Sequence, residues 1–206
     1  PDKAAVVMHP SGAVRTYREV DDASLRLAAA LRERGLGVGD HVAVLLENQP
    51  EFFDVVWGAQ RLGCYVTPIN WHLTADEAGY IVGDCDATAL VASVGLAEVV
   101  AAMSDDHLAA VTTRLSVGGS LPGFERYEDV VGTSPPPEVP EQREGGWMFY
   151  SSGTTGQPKG ILPPLLDVAL GARSFLTQLL TGLFGFTADT VYLSPAPLYH
   201  AAPAGW

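Results

Sequence analysis

The feature that most restricts the fold is an alternation, between residues 16 and 93, of helical and strand-like hydrophobic patterns. Thr16 and Glu19 are spaced as a capping box, which marks the start of a helix. Val20, Leu27 and Leu31 then recur on one face of that helix. Short apolar runs predict three buried strands, at residues 41–47, 64–69 and 87–93.

Helices are also predicted between these strands. The run between the first two strands places Phe52 and Val55 on one helical face. Thr74 and Glu77 form a second capping box, for a helix that continues to about Val82. Strand, helix, strand, helix and strand in this order predict an α/β fold, with a largely parallel sheet flanked by helices.

The composition changes at residues 132–146, where prolines and charges predict a surface linker. It separates an N-terminal α/β part, residues 1–131, from residues 147–206, within one incomplete domain. Residues 163–186 are largely apolar, with leucines every three or four positions, and predict a core helix in preference to a lipid-facing one. A strand is predicted at residues 190–193.

Charge and cysteine usage disfavour several classes of function. A formal net charge of −12 argues against a large nucleic-acid footprint, which requires a basic surface. Cys64 and Cys85 have neither metal-site spacing nor the density of a disulfide framework, which favours a reducing compartment. The chain shows no signal-peptide pattern and no apolar stretch of membrane-spanning length. We therefore expect a cytoplasmic protein without an integral membrane segment, and the sequence leaves open whether it forms a homo-oligomer.

Residues 148–161, MFYSSGTTGQPKGI, combine an apolar strand end, a run of glycines and hydroxyl residues, and a lysine. Gly153 and Gly156 permit a sharp turn in which successive amides point into one concavity that suits an anion. Lys159, one of only two lysines in the chain, adds a mobile positive charge. Hydroxyl donors are added by Ser151, Ser152, Thr154 and Thr155. This combination predicts a loop that binds polyphosphate.

Other phosphate and nucleophile motifs do not fit this run. A Walker A loop needs glycine where Pro158 stands, and serine or threonine where Gly160 stands. Neither G-x-G-x-x-G nor G-x-S-x-G matches. The structural alternative is a flexible linker of serine, glycine and threonine, but such linkers rarely stand between an apolar strand and Pro-Lys-Gly.

The run YSSGTTGQPKG, residues 150–160, resembles the phosphate-loop signature of the adenylate-forming superfamily, which comprises acyl-CoA synthetases, non-ribosomal peptide adenylation domains and luciferases. Similar segments extend over nearly the whole chain, among them TYREV and GAQRLGCYVTPINWHLTADEAGYIVGDC. NWHLTADE and LSPAPLYHAAP are most similar to bacterial fatty-acyl-CoA synthetases. The resemblance implies an incomplete part of the large N-terminal domain of an adenylate-forming enzyme.

The resemblance also implies a two-step reaction that uses ATP, Mg²⁺ and coenzyme A. The carboxylate of an acid, by this similarity a fatty acid, attacks the α-phosphorus of ATP, and the thiol of coenzyme A then displaces AMP. Lys159 would help to neutralise the departing pyrophosphate, and a hydroxyl of Ser151 or Thr154 would face Mg²⁺. The phosphate-binding residues that the family implies are Ser151, Ser152, Gly153, Thr154, Thr155, Gly156 and Lys159.

An acyl site is implied near residue 200. His200 in PLYH matches a family motif that borders the acyl and adenylate site, so it is the expected catalytic residue, with Tyr199 beside it in the substrate pocket. The alternative is a loop histidine that only packs. Trp206 is a further candidate for the pocket, whereas His72 is expected to serve the start of a helix.

Later segments of the family, namely Y-G-x-T-E, T-G-D and a C-terminal domain with a lysine for adenylation, do not occur in these 206 residues. The chain alone is therefore expected to be inactive. Three alternatives stay open. The parent protein could activate amino acids or aryl acids for a carrier protein, the chain could be a non-catalytic nucleotide-binding module, or it could be a structural fragment that self-associates through exposed apolar surface.

Overall fold

A parallel sheet of six strands forms the centre of this protein. The computed structural model describes residues 1–151, 157–172 and 175–204. The strands are β1 (Ala4–Val7), β2 (Val14–Thr16), β3 (His41–Leu45), β4 (Tyr65–Pro68), β5 (Ala87–Ser93), β6 (Thr113–Val117), β7 (Glu125–Arg126), β8 (Gly146–Trp147), β9 (Phe149–Ser151) and β10 (Lys159–Ile161). The helices are α1 (Tyr17–Glu33), α2 (Glu51–Gln60), α3 (Ala75–Asp84), α4 (Ala97–Ala101), α5 (Tyr127–Val131), α6 (Phe175–Gly182) and α7 (Ala201–Ala204), with a 3₁₀ helix at Val94–Leu96.

All strand pairs in the central sheet are parallel, and the strand order is β7-β6-β5-β3-β4-β8. Val42 of β3 pairs with Val66 of β4, and Ala43 pairs with Leu90 of β5, so β3 is an inner strand. Two antiparallel pairs, β1–β2 and β9–β10, lie outside this sheet. The structure confirms the predicted α/β class, a largely parallel sheet flanked by helices.

Each face of the sheet is covered by different helices. Val44 belongs to a core cluster with Leu27 of α1 and Val55 of α2. Its neighbour Leu45 points to the opposite face and belongs to a second cluster with Ile81 of α3. A parallel sheet that is buried on both faces needs strands that are apolar at every position. This requirement explains the uninterrupted apolar runs in the sequence.

Both predicted capping boxes are present. The amide of Glu19 donates to the Thr16 hydroxyl at 3.2 Å, and the Thr16 amide donates to the Glu19 carboxylate at 2.7 Å. Thr74 and Glu77 form the same two bonds, at 3.4 and 2.9 Å. These bonds satisfy backbone donors that the first turn of a helix leaves free, and they fix where α1 and α3 begin.

Replacing Thr74 with alanine is expected to lower the free energy of unfolding by about 1 kcal/mol, because α3 loses its N-terminal cap. Urea denaturation measures this change. Thr112→Ala is the matched control, since Thr112 is exposed and its hydroxyl lies 3.4 Å from the carbonyl oxygen of Thr88. Equal unfolding midpoints for the two variants would show that the cap does not stabilise α3.

The helix predicted at residues 163–186 is wrong over most of its length, since α6 is shorter and begins later. Pro163 and Pro164 would be tolerated in a first helical turn, so they do not by themselves prevent a helix after them. The chain after them is held by backbone bonds to another segment, where the amide of Glu144 donates to the carbonyl of Val168 at 3.0 Å.

The strand predicted at residues 190–193 is also wrong, because the chain there is irregular. Val191 and Leu193 are 90% and 82% exposed, and no described strand pairs with them. An apolar run becomes a strand only where its side chains pack on a sheet surface, and these side chains have no such surface. Within the described ranges, no helix has the length and apolar character that crossing a bilayer requires.

The first part of the segment 132–146 lies against α1. The guanidinium of Arg32 in α1 donates to the carbonyl of Pro140 at 2.7 Å. Val139 is 5% exposed and belongs to the core cluster that contains α1 and α2. These contacts attach the proline-rich segment to the body of the fold just before β8.

Candidate functional site

The hairpin of β9 and β10 forms the stem of the glycine-rich loop. Ser151 pairs with Lys159 across this stem, and Tyr150 pairs with Gly160. The hydroxyl of Ser151 lies 3.5 Å from the carbonyl oxygen of Lys159. The remaining predicted phosphate-binding residues lie outside the described part of the chain, namely Ser152, Gly153, Thr154, Thr155 and Gly156. The structure therefore describes the two ends of the loop and the strands that bring those ends together.

Close packing explains the glycine that follows Lys159. A Cβ atom at Gly160 would lie 2.3 Å from Cε of Met148 and 3.0 Å from Cζ of Tyr150. The first distance would force the flexible end of the Met148 side chain to move, and the second is tighter than an ordinary contact, so a larger residue would loosen the packing of the stem. Glycine thus lets the two strands of the stem pack tightly beside Lys159.

A cleft of about 570 Å³ opens next to the stem. Its walls come from the loop after β4, from α3, from both ends of the glycine-rich loop and from the chain before α7. The polar and loop residues among those walls include Asn70, Glu77, Ser151, Pro158, Tyr199 and His200. Ligands of parallel α/β sheets bind beyond the carboxyl ends of the strands, and the cleft has this position relative to β4.

Tyr199 and His200 both line this cleft, as does Ser151. Their segment is attached to the sheet through Asn48, which follows β3 and whose side-chain oxygen accepts from the Leu198 amide at 3.0 Å. Leu198 itself is 6% exposed. The rings of Tyr199 and His200 lie 4.4 Å apart, centroid to centroid. The structure therefore brings the predicted acyl-site pair to the same cleft as the start of the loop.

The remaining predicted site residues have different positions. Lys159 is exposed and forms no salt bridge with any described residue. Its ammonium is therefore not committed to a described carboxylate. Trp206, the further candidate for the acyl pocket, lies outside the described residues.

Glu77 is the carboxylate on the cleft wall, and its position alone would suggest acid–base chemistry. Its Oε2 atom instead accepts from the Thr74 amide at 2.9 Å and from the Thr74 hydroxyl at 2.8 Å. These two donors lower the pKa of Glu77 below its ordinary value. The carboxylate is thus an ionised part of the α3 cap, and general acid chemistry is not indicated for it.

Asn70 and Trp71, which lie shortly after β4, were not predicted from the sequence to be close to the site. The side-chain oxygen of Asn70 accepts from the His72 amide at 2.9 Å, which shapes the turn before α3. The Trp71 ring lies 3.5 Å from the His72 ring and 6.4 Å from the Tyr199 ring, measured between centroids. The signal for these residues was their place after a buried strand, where α/β folds build binding sites.

Magnesium requires oxygen ligands, and the described residues contain no group of three histidine, cysteine, aspartate or glutamate side chains that could hold a metal. This is compatible with Mg²⁺ held through a nucleotide, because such ions keep several waters and phosphate oxygens and take one or two protein oxygens. The exposed Ser151 on the cleft wall can offer one hydroxyl. Thr154, the other predicted ligand, lies outside the described residues.

Comparisons with known proteins agree with this fold. The family model described as AMP-binding enzyme matches residues 1–206. Long-chain-fatty-acid–CoA ligase FadD13 of Mycobacterium tuberculosis is 30% identical over 206 residues, 95% of this chain and 38% of the relative. 4-Coumarate–CoA ligase 3 of Oryza sativa subsp. japonica is 32% identical over 198 residues, 92% of this chain and 34% of the relative.

A solved structure covers almost the whole chain. The inhibitor-bound N-terminal domain of FACL13 from Mycobacterium tuberculosis matches with a TM-score of 0.73 at 25% identity, over 99% of this chain and 50% of that chain. The chain spans about a third of the length of the curated relatives that it matches.

Proposed function

The chain belongs to the AMP-binding enzyme family, and on this premise we propose that it is the N-terminal portion of an ATP-dependent acid–CoA ligase. One observation carries the proposal. Both ends of the glycine-rich loop, Ser151 and Pro158, lie on the cleft that Tyr199 and His200 also line. A site for adenylation must hold a triphosphate and a carboxylic acid side by side, and this cleft has a candidate surface for each.

In the first step the acid's carboxylate attacks the α-phosphorus of ATP, which forms an acyl-adenylate and releases pyrophosphate. Negative charge develops on the leaving pyrophosphate, so donors around its oxygens favour departure. The loop between Ser151 and Lys159 supplies amides and hydroxyls for this purpose, and the Lys159 ammonium supplies the positive charge. Mg²⁺, when bound, would offset further charge on the phosphate oxygens.

In the second step the thiol of coenzyme A attacks the acyl carbon and displaces AMP, which leaves a thioester. His200 and Tyr199 border the acyl group in this proposal, and their position on the cleft supports that role. We assign a fatty acid as the substrate, in line with the similarity to the fatty-acid ligase of Mycobacterium tuberculosis. The similarity to 4-coumarate–CoA ligase 3 favours an aryl acid as the second candidate.

We also propose that the enzyme is cytoplasmic and that the 206 residues are only part of it, and the second point has separate support. The matched relatives are about three times as long. Large apolar side chains are also exposed in the last quarter of the chain, including Ile161, Leu166, Leu183, Val191 and Leu193. Such surface is normally covered by further structure. The isolated chain should consequently bind substrates poorly and show no turnover.

Acid-dependent ATP–pyrophosphate exchange by the complete protein tests the proposal. A panel of fatty, aromatic and sterol-type acids is assayed with MgATP, and hydroxylamine traps the adenylate as hydroxamate. We expect exchange with fatty acids, and none from the 206-residue chain alone.

Each other result has a defined meaning. Exchange with aromatic acids only would favour the aryl-acid ligase. Calorimetric binding of MgATP without exchange for any acid would contradict the ligase and leave a non-catalytic nucleotide-binding protein. Robust exchange by the isolated chain would overturn the assignment of an inactive portion.

A further inference from the structure

A carboxylate outside the cleft is hydrogen-bonded to the stem of the glycine-rich loop. Asp84 is the last residue of α3, and its Oδ2 atom accepts from the Tyr150 hydroxyl at 2.6 Å. Its Oδ1 atom accepts from the Tyr80 hydroxyl at 3.1 Å. A negative charge is unfavourable at the C-terminal end of a helix dipole, so these two donors supply stabilisation that the helix end does not.

α3, which carries Asp84, is well packed against the core. Ala78, Ile81 and Val82 of this helix are buried in the second core cluster, and the capping box fixes its start. The stem is different, because β9 and β10 form a sheet of only two strands. A two-stranded hairpin alone is marginally stable in water. The contact from Asp84 therefore adds a tie between this short hairpin and a well-packed helix.

Tyr150 connects Asp84 to β10, the strand at the end of the glycine-rich loop. It pairs with Gly160 across the stem, and a Cβ atom at residue 160 would lie 3.0 Å from Cζ of its ring, so the glycine backbone packs closely against the phenol. The next pair along the stem is Ser151 with Lys159, the residues that bound the loop. Burial, together with the bond to Asp84, raises the pKa of Tyr150, so the phenol stays protonated and remains a donor.

We propose that Asp84 is a positioning residue, which holds Tyr150 against β10 and so fixes the strand that carries Lys159, the proposed partner of the triphosphate. This role rests on the proposed function, since it concerns ATP binding at the same site. Asp84 is not among the residues that line the cleft. It acts on β10 indirectly, through the Tyr150 phenol and the backbone of Gly160.

Tyr150→Phe in the complete enzyme tests the role, because it deletes the hydroxyl and keeps the ring on Gly160. We expect the KM for ATP in the exchange reaction to rise about tenfold, the scale of one hydrogen bond to a charged group. The KM for the acid should be unchanged, and the melting temperature should stay within about 2 °C. Asp84→Ala should reproduce this pattern, and Asp84→Asn, which keeps an oxygen acceptor, should restore most of the ATP affinity.

Tyr80→Phe is the matched control, since it removes the other hydroxyl that donates to Asp84 and keeps the bond between Asp84 and Tyr150. Its KM for ATP should equal that of the wild type. An unchanged KM for ATP in Tyr150→Phe, or the same increase in Tyr80→Phe, would overturn the positioning role. Equal losses for ATP and acid with a lower melting temperature would overturn it too, because they indicate general destabilisation. A wild-type enzyme without exchange would overturn the proposed function as well.

Discussion

Lys159→Ala in the complete protein is expected to reduce acid-dependent ATP–pyrophosphate exchange by roughly a hundredfold or more, the cost of removing one donor from a preorganised anion site. In this acidic chain Lys159 is the only basic residue between Arg143 and Arg173, so no neighbour along this stretch replaces its charge. It is exposed and has no described ion-pair partner. Its loss should therefore leave the melting temperature unchanged while turnover falls.

The chain supplies a matched control in its only other lysine. Lys3 lies near the N-terminus, where its ammonium donates to the carbonyl of Ala188 and lies 3.6 Å from Asp189. Lys3→Ala changes the net charge by the same amount but should keep wild-type exchange. Lys159→Arg retains the charge with a different shape, so it should recover part of the activity. An exchange rate in Lys159→Ala equal to that of the wild type would show that the loop has no role in the mechanism.

Local signals in the sequence were sufficient for the elements that build the body of the fold. The capping box at Thr16 fixes the start of α1, and the uninterrupted apolar runs identify β3, β4 and β5 as strands buried on both faces. These signals work because caps and burial act within a few residues of one another. The leucine spacing at residues 163–186 was misleading, since backbone bonds to residues 142–144 hold part of this segment in an extended form.

In the candidate site, too, only features formed by neighbouring residues could be predicted from the sequence. The glycine and hydroxyl run and the PLYH segment could be recognised because each is a contiguous string of residues. Asp84 and Tyr150 are 66 positions apart, and only the packing of α3 beside the stem brings them together. Asn48 likewise holds Leu198 across 150 positions. A single sequence contains no signal for such contacts, because neither residue is unusual in its own surroundings.

A second strong effect is expected from Asp54, a carboxylate that is completely buried in α2. Its Oδ2 atom accepts from the Tyr127 hydroxyl at 3.1 Å and lies 3.6 Å from the guanidinium of Arg15. Its Oδ1 atom has no hydrogen-bond partner among the described groups. Burial raises the pKa of Asp54 to about 6, although Arg15 and Tyr127 act in the opposite direction.

The direction of the pH effect follows from proton binding. The ordinary pKa of this carboxyl is 3.8, so between that value and about 6 the folded protein holds a proton that the unfolded chain has released. The stabilisation that this bound proton gives the folded state is fully present below pH 3.8 and is lost as the pH rises through about 6. At 1.36 kcal/mol per pKa unit, the ionised carboxylate costs the folded state about 3 kcal/mol at pH 8.

Asp54→Asn keeps the shape of the side chain and removes this ionisation. We expect its free energy of unfolding to exceed that of the wild type by about 3 kcal/mol at pH 8, with the difference shrinking steadily below pH 6. Urea titrations at a series of pH values measure it. Tyr127→Phe provides the opposite comparison, since it removes a donor to the ionised carboxylate and should lower stability at pH 8 by about 1 to 3 kcal/mol.

The competing view is that Asp54 is ionised throughout and forms a stabilising buried pair with Arg15. In that case Asp54→Asn should cost about 3 to 5 kcal/mol at neutral pH, because a buried charge would lose its partner. Arg15 argues against so large a loss, since its guanidinium also donates to Glu51 at 2.9 Å and is 30% exposed. Destabilisation of Asp54→Asn at pH 8 would therefore refute the raised pKa and establish the ion pair.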